Sequence, residues 1–490
     1  MNSLMRRFFN WAGKKMVTSS QNISDKEYLE YIIHRWKSSP KRIDQLNGDR
    51  YYKGDHDILD RKRTASDGKG GQIVISGIPN YRLVDNQFAK MVDQKSTFFL
   101  GQQPSTTCEN DDVEEILHSV LNDDFYKLLL TVGTESIICG ISWLYVYYDA
   151  ESKLSFRVIP GWQILPIWKD SAQKELDFAI RVYEEPFFNG VTEEIIERVE
   201  IFKNDGIEKY VLVNGQLTPD DLYPKRAYLS VEIDGDEKQL NWGKIPLIPF
   251  RSNHIGMPLL KRCKSLQDGI NSILSTFQNN MEEDYRSTLL VIKNYDGQDL
   301  SELRKNIATY GIIKVRSLDG VEGGVESLQV EVNSANYQVL LEQLRKSLIS
   351  NCRGYDASEL RNGGRDANEM NIKSVYSDIT LDSFEMENEF RASLNNLLWF
   401  VEKYLGITIG DVEWIFNRDN IVSESSVIND IRNSVGILSE ETLIEQHPYV
   451  KDVQLEIDRK KKERKENDIY QGAFSENDAT NDDSGQEFKK

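Results

Sequence analysis

The chain is poor in the residues that most enzyme and metal chemistry requires. Its five histidines, His34, His56, His118, His254 and His447, include no H-E-x-x-H or other paired ligand spacing. Its four cysteines, Cys108, Cys139, Cys263 and Cys352, have no metal spacing and no disulfide-rich context, so they read as buried thiols in a reducing compartment. No apolar run approaches the roughly 18 residues that cross a bilayer. The basic start MNSLMRRFFNWAGKKM is interrupted by Arg, Asn and Lys, which excludes the core of a signal peptide and reads as a loosely held arm over residues 1–24. There is no G-x-x-x-x-G-K-[ST]; Asp67-Gly68-Lys69-Gly70-Gly71 sets a lysine among glycines, but no Ser or Thr follows it and a loop is the simpler reading. Basic charge is scarce too, with 60 Lys and Arg against 79 Asp and Glu and a net charge of −19. That balance argues against a protein that grips nucleic acid by neutralising phosphates, though not against nucleic acid passing close to a wall that does not hold it.

What is present supports a large folded body. Hydrophobic residues make up 39% of the chain, with 19 Phe, 22 Tyr and 8 Trp, enough for a sizeable core in several domains or one body with insertions. The sharpest feature begins at Trp242. Pro246 and Pro249 remove amide donors, so IPLIPF reads as an edge or terminal strand; Gly256 frees a turn, and Pro258 opens a helix. Apolar residues then fall at Leu259, Cys263, Leu266, Ile270, Ile273, Leu274, Phe277 and Met281, one helix face, while Lys261, Lys264, Gln267, Ser275 and Asn279 occupy the opposite face. Helical to Asp284, this element is about 40 Å long and needs an equally long partner. Ser334 to Arg353 supplies one, with Tyr337, Leu341, Leu344, Leu348 and Cys352 on one stripe. Between them lies a small α/β insert: a strand Ser287 to Lys293, a helix near Asp299 to Tyr310 and a strand Gly311 to Val315, followed by Gly-rich turns.

The first half reads as α+β. Ser24 with Glu27 forms a capping box before a helix that Pro40 ends, and Pro40 opens a second. Asn80 to Leu100 carries a helical pattern through Leu83, Phe88, Met91, Val92 and Phe99; Asp111 to about Asp124 is a further helix, and Phe125 to Cys139 continues it helically. Alternating strands follow in antiparallel order from Ile141, with Asp205-Gly206 and Asn214-Gly215 as turns. After the helix pair comes the polar GYDASELRNGGRDANEM, then a long helix from Asn368 to Leu405 ended by Gly406, one strand DVEWIFNR, helices at Ser423 to Val435 and Ser439 to Gln446, a charged helix and a polar tail. No internal repeat is present.

In this order the segments RYYKGDHDIL, the helix ending FFLGQQP, Gly140 to Asp149 (GISWLYVYYD), IPLIPFRSN, the helix end QNNMEED and GILSEETLIEQHPYVKDVQLEI resemble the portal proteins of tailed, long-tailed double-stranded DNA bacteriophages of Gram-positive hosts. The resemblance spans roughly residues 25 to 465. It implies an α+β portal-type fold: a wing over 25–257, a stem helix over 258–284, a clip over 285–333, a returning stem helix over 334–354, a tunnel loop over 355–369, a long helix and wing strand over 370–422, a helical crown over 423–466 and a disordered tail over 467–490. Stem packing falls to Leu259, Cys263, Leu266, Ile270, Ile273, Phe277, Leu341, Leu344 and Leu348. The DNA-facing loop falls to Asp356, Glu359, Arg361, Asn362, Gly363, Gly364, Arg365 and Asp366, whose charges nearly cancel. The family often has small residues after this loop where Asn368, Glu369 and Met370 stand here, so the loop's register stays open. The resemblance further implies a ring homo-oligomer of about 12 subunits, in the virion at one capsid vertex and in host cytoplasm during assembly. Its implied partners are the terminase large subunit, the major capsid and scaffolding proteins, the head-tail connector and double-stranded DNA passing non-specifically, with no membrane, no cofactor and no catalytic role. Two other readings stand beside it: another head-tail connector protein, usually much shorter, and a DNA-processing enzyme, for which Glu282-Glu283-Asp284 could hold a metal but more simply forms a solvated helix end.

Overall fold

Turn chemistry lays out the first half. Asn214 and Gly215 both take positive φ, 51° and 80°, as a two-residue hairpin turn requires, and Gly206 at 131° closes the hairpin before it. The computed structural model describes residues 26–463 except 67–70, 75–77, 109–110, 150, 189, 191, 221–225, 234–235, 285–288, 294–314, 317–323, 329–333, 357–368, 418–423 and 451–452. The chain divides into two units, residues 1–356 with 378–418 and residues 357–377 with 419–490. Ser24 and the insert helix read at 299–310 lie outside the described residues, as does most of the strand read at 311–315.

The first unit opens with α1 (Lys26–Lys37), α2 (Pro40–Tyr52), β1 (Thr64–Ser66), β2 (Gln72–Val74), α3 (Gln87–Leu100), β3 (Ser105–Cys108), α4 (Asp111–Val120) and α5 (Asp123–Cys139). Ten strands follow: β4 (Ile141–Tyr148), β5 (Leu154–Pro160), β6 (Ile164–Trp168), β7 (Leu176–Phe188), β8 (Glu193–Lys203), β9 (Gly206–Val213), β10 (Gln216–Pro219), β11 (Leu229–Ile233), β12 (Asp236–Leu240) and β13 (Leu247–Arg251). Then come α6 (Leu260–Asp284), the strands β14 (Leu289–Lys293) and β15 (Gly324–Leu328), α7 (Ser334–Asn351), α8 (Glu369–Leu405), of which residues 369–377 belong to the second unit, and β16 (Val412–Ile415). The second unit holds α9 (Glu424–Ser434), α10 (Glu440–Glu445) and a helix α11 over 453–463. The fold is thus α+β.

Strands β6 to β10 form a five-stranded antiparallel meander, and β13, β4 and β5 a second sheet in that order. The proline-bearing β13 therefore occupies an edge, where the amide missing at Pro249, like that of Pro246 just before the strand, costs no ladder bond. The main core joins α3, α5 and α8 to the second sheet: Phe390 meets Phe99 and Phe250 edge-on at 5.2 and 5.0 Å. Two helix readings are corrected. Helix α3 begins at Gln87, capped by Asn86, and residues 81–86 lie outside it although Leu83 continues the apolar pattern. Between α4 and α5 the chain breaks, because the Asn122 side chain accepts the amides of Asp124 and Phe125 and starts a new helix.

Gly140 ends α5 with φ 78°, and a Cβ there would fall 2.4 Å from the Gly256 carbonyl oxygen. Gly54 has φ 88° and open space around it. Gly54→Ala should cost about 1–2 kcal/mol for conformation alone, whereas Gly140→Ala should cost at least about 3 kcal/mol through the added backbone collision. Denaturant melts giving equal losses would show that the α5 terminus does not pack this closely against the turn before α6.

Candidate functional site

Helix α6 is held from two sides. On its apolar side Leu259, Cys263 and Ile270 are buried, and Leu266, Ile273 and Phe277 are half-buried; α7 faces it with Leu348 buried and Leu341 and Leu344 half-buried. Midway along the pair a Cβ on Gly269 would touch Leu344 at 3.6 Å. Farther out, Phe277 meets Tyr337 at 5.1 Å between ring centres, and Asn280 donates to the Tyr337 hydroxyl at 3.1 Å. Met281, on the same stripe, is 49% exposed, so packing is densest at the base of the pair and loosens toward its far end. At the base the Cys263 thiol donates to the Leu259 carbonyl at 3.8 Å, and the neighbouring Cys352 thiol together with burial pushes its pKa far up. Such thiols are unreactive packing groups.

The second side, which carries Gln267, Ser275 and Asn279, is polar but not wet. These residues and Asn271 are buried, with exposures between 0 and 2%. Asn279 Oδ1 accepts the Tyr81 amide at 2.7 Å, Ser275 Oγ the Leu83 amide at 2.9 Å, Asn271 Oδ1 the Asp85 amide at 3.0 Å and Gln267 Oε1 the Phe88 amide at 2.9 Å. Gln267 Nε2 returns a bond to the Asp85 carbonyl at 2.7 Å. Four helical residues advance about 6 Å and two extended residues about 6.6 Å. Acceptors at residues 279, 275 and 271 of α6 therefore match the alternate amides 81, 83 and 85 of a segment running antiparallel to it, which is why residues 81–85 do not continue α3 backwards, while Gln267 takes the Phe88 amide in the first turn of α3.

Asn271 Nδ2 also donates to His56 Nδ1 at 2.8 Å, so the opposite nitrogen, Nε2, carries the hydrogen given to the Tyr51 carbonyl at 3.0 Å. Burial lowers the pKa of His56 despite the Tyr51 carbonyl and Asp268, keeping it the neutral acceptor that Asn271 needs. The visible signal for this ladder is the strict i, i+4 spacing of Gln267, Asn271, Ser275 and Asn279. Polarity alone conceals it.

A charged cluster closes the base. Lys95 of α3, 5% exposed, meets Asp382 of α8 at 2.5 Å, and Asp382 also faces Arg353 at 3.3 Å and Arg262 at 3.7 Å. A cavity of about 20 Å³, room for one water molecule, lies among Lys95, Asn253, Arg262 and Asp382. Burial lowers the Lys95 pKa, and the Asp382 carboxylate opposes that shift. Burial would raise Glu385, one turn on, but the His254 side chain at 2.7 Å and the His254 amide outweigh it and lower its pKa. The chain then leaves α7 through Arg353 in the left-handed region, φ 51°, and Gln94 pins Tyr355 by bonds of 2.9 and 3.0 Å. Of the residues read as the loop beyond, Asp356 is half-buried; Glu359, Arg361, Asn362, Gly363, Gly364, Arg365 and Asp366 lie outside the described residues. Among the described residues no three His, Cys, Asp or Glu side chains converge on a metal position, and no helix is long and apolar enough to cross a membrane.

Comparison with known proteins matches residues 29–470 to a family described as phage portal protein, SPP1 Gp6-like. The portal protein of Bacillus phage SPP1 is 27% identical over 479 residues, covering 96% of this chain and 92% of that protein. The portal protein of Clostridium phage phiCD119 is 24% identical over 436 residues, covering 84% and 91%.

Asn271→Leu should cost about 3 kcal/mol, since it strands the Asp85 amide and His56 together, whereas Ser272→Leu on the exposed neighbouring position should stay within about 0.5 kcal/mol. Equal effects in thermal denaturation would dismiss the ladder. Asp382→Ala should destabilise by about 3–5 kcal/mol by leaving the buried Lys95 ammonium uncompensated. Lys95→Met, which removes that charge and retains its volume, should cost clearly less; the opposite ranking would show that Lys95 is solvated.

Proposed function

Because this chain belongs to the SPP1 Gp6-like family of phage portal proteins, we propose that it assembles as a ring of about 12 identical subunits around a channel for double-stranded DNA at one vertex of the capsid. The observation that carries the reading is the order long helix, small insert, long helix. Helices α6 and α7 pack as a pair, and the described part of the segment between them pairs β14 with β15, register Leu289↔Leu328 to Lys293↔Gly324. In this assignment α6 and α7 are the stem, residues 285–333 the clip that docks the terminase motor and later the head-tail connector, and residues 355–369 the loop that touches DNA. The wing is the α+β body that precedes α6, and the crown is residues 423–466.

The physical role of each part follows from its chemistry. A stem held along one side by apolar packing and along the other by directional hydrogen bonds transmits force between clip and wing as a stiff rod. A loop whose charges nearly cancel touches a moving polyanion without trapping it, and the net charge of −19 disfavours adhesion elsewhere. Ring closure demands heterologous contacts, so each subunit presents two different faces to its neighbours. The chain performs no catalysis in this reading; the energy for translocation comes from the motor.

Native mass spectrometry and negative-stain microscopy of the purified protein should show closed rings with a central hole, of about 12 or 13 subunits. A monomer at every concentration and salt would sink the reading. Deleting Asn362 to Asp366 should leave rings intact and lower the yield of DNA-filled heads in a packaging assay; normal filled heads would refute the loop assignment alone.

A further inference from the structure

The sheet face under α1 continues past the helix that covers it. Leu29 and Ile33 of α1 pack on Phe178, Ile180 and Val182 of β7 and on Val199 and Ile201 of β8. Strand alternation and the register carry that same face onward to Glu184, Pro186 and Phe188 on β7 and to Glu197, Ile195 and Glu193 opposite them. Helix α1 ends at Lys37, bonded to Glu197. Beyond that bond Pro186 is exposed, Phe188 is 67% and Ile195 73% exposed. Neither neighbouring strand reaches this far: β6 pairs with β7 only from Leu176 to Arg181, and β9 with β8 only from Arg198 to Lys203. A projecting two-stranded ribbon is marginal without cover. This one presents an apolar centre rimmed by Glu184, Glu193 and Glu197, and the Glu193 carboxylate has no hydrogen bond or ion pair among the described residues.

We infer that the occupant of this ribbon face is the chain's own leading segment, residues 1–24. Its sequence MNSLMRRFFNWAGKKM offers Met5, Phe8, Phe9 and Trp11 for the apolar centre and Arg6, Arg7, Lys14 and Lys15 for the acidic rim. It extends what α1 does next door, where Leu29 and Ile33 cover the same face and Lys37 meets the rim glutamate. Reach is sufficient. From Lys26 the far side of the ribbon is about 18 Å of helix and about 17 Å of strand away, while the fifteen-residue span from Trp11 to Lys26 stretches to about 50 Å. Tethering also supplies an effective concentration near the millimolar range, which an acidic rim and a modest apolar patch need for lasting occupancy.

The full chain with p-benzoylphenylalanine in place of Phe188, irradiated and mapped by mass spectrometry, should cross-link to residues between Leu4 and Lys15. Cross-links confined to other parts of the chain or to another protein, or none at all, would overturn the inference. In parallel, Phe188→Ser with Ile195→Ser, which removes the apolar centre without touching the core under α1, should speed tryptic cleavage at Arg6, Arg7, Lys14 and Lys15 several-fold. Unchanged cleavage rates would equally refute it. Neither readout depends on ring formation, so a failed ring test and a failed docking test are separate results.

Discussion

The hydrogen-bonded ladder between α6 and residues 81–88, the segment that leads into the first turn of α3, is the constraint from which much of the first unit follows. A long helix beside a core ordinarily turns its polar face to water. Here the polar face binds backbone, with acceptors at residues 267, 271, 275 and 279 taking amides that no sheet or helix satisfies. Each such bond is worth about 1 kcal/mol when made, and a buried amide left without it costs about 1–3 kcal/mol. The match between helical and extended spacing holds α6 in one register against the rest of the unit. It also determines where α3 can begin, because residues 81–85 cannot satisfy both an α3 turn and the side chains of α6.

The two sides of α6 differ in kind, and the difference matters mechanically. Apolar packing against α7 is non-directional and tolerates small sliding, whereas side-chain-to-amide bonds do not. At the base, where Cys263 and Cys352 touch and Lys95 is compensated by Asp382, three helices and the exit of α7 converge on a few buried groups. The far end of the pair is less tightly held, with Met281 exposed and contact carried by Phe277 and Tyr337. A rod anchored at one end and softer at the other suits the proposed stem, whose clip would meet other proteins while its base stays joined to the body. The Gln94 bonds to Tyr355 fix the point where the chain departs from that base.

Much of this was legible in order and type. The prolines of IPLIPF marked an edge strand, the glycines at 206 and 215 marked hairpins, and the three-and-four spacing of Cys263, Leu266, Ile270 and Leu274 marked a helix face that packs. Family membership was legible as well, from several short segments in one order. The burial of the polar face was not legible, because burial of Gln, Asn and Ser is decided by partners, and those partners lie about 190 residues earlier in the chain, as with Leu83 and Ser275. Leu83 misled for a related reason: it fits a helical stripe by spacing, but its amide is claimed by Ser275 and its side chain faces outward.

The sequence by itself determined the local units: which stretches are helix or strand, where prolines, glycines and Asn caps break them, and that neither a metal nor a nucleotide motif is written into the chain. Only the tertiary structure decided how those units share hydrogen bonds and charge: that the α6 polar face is an inner surface, that Lys95 is buried against Asp382, and that the sheet face under α1 continues past that helix onto the β7–β8 ribbon. The physical reason is that periodicity is a property of neighbouring residues, whereas burial of a polar group becomes favourable only when a distant donor or opposite charge is brought to it.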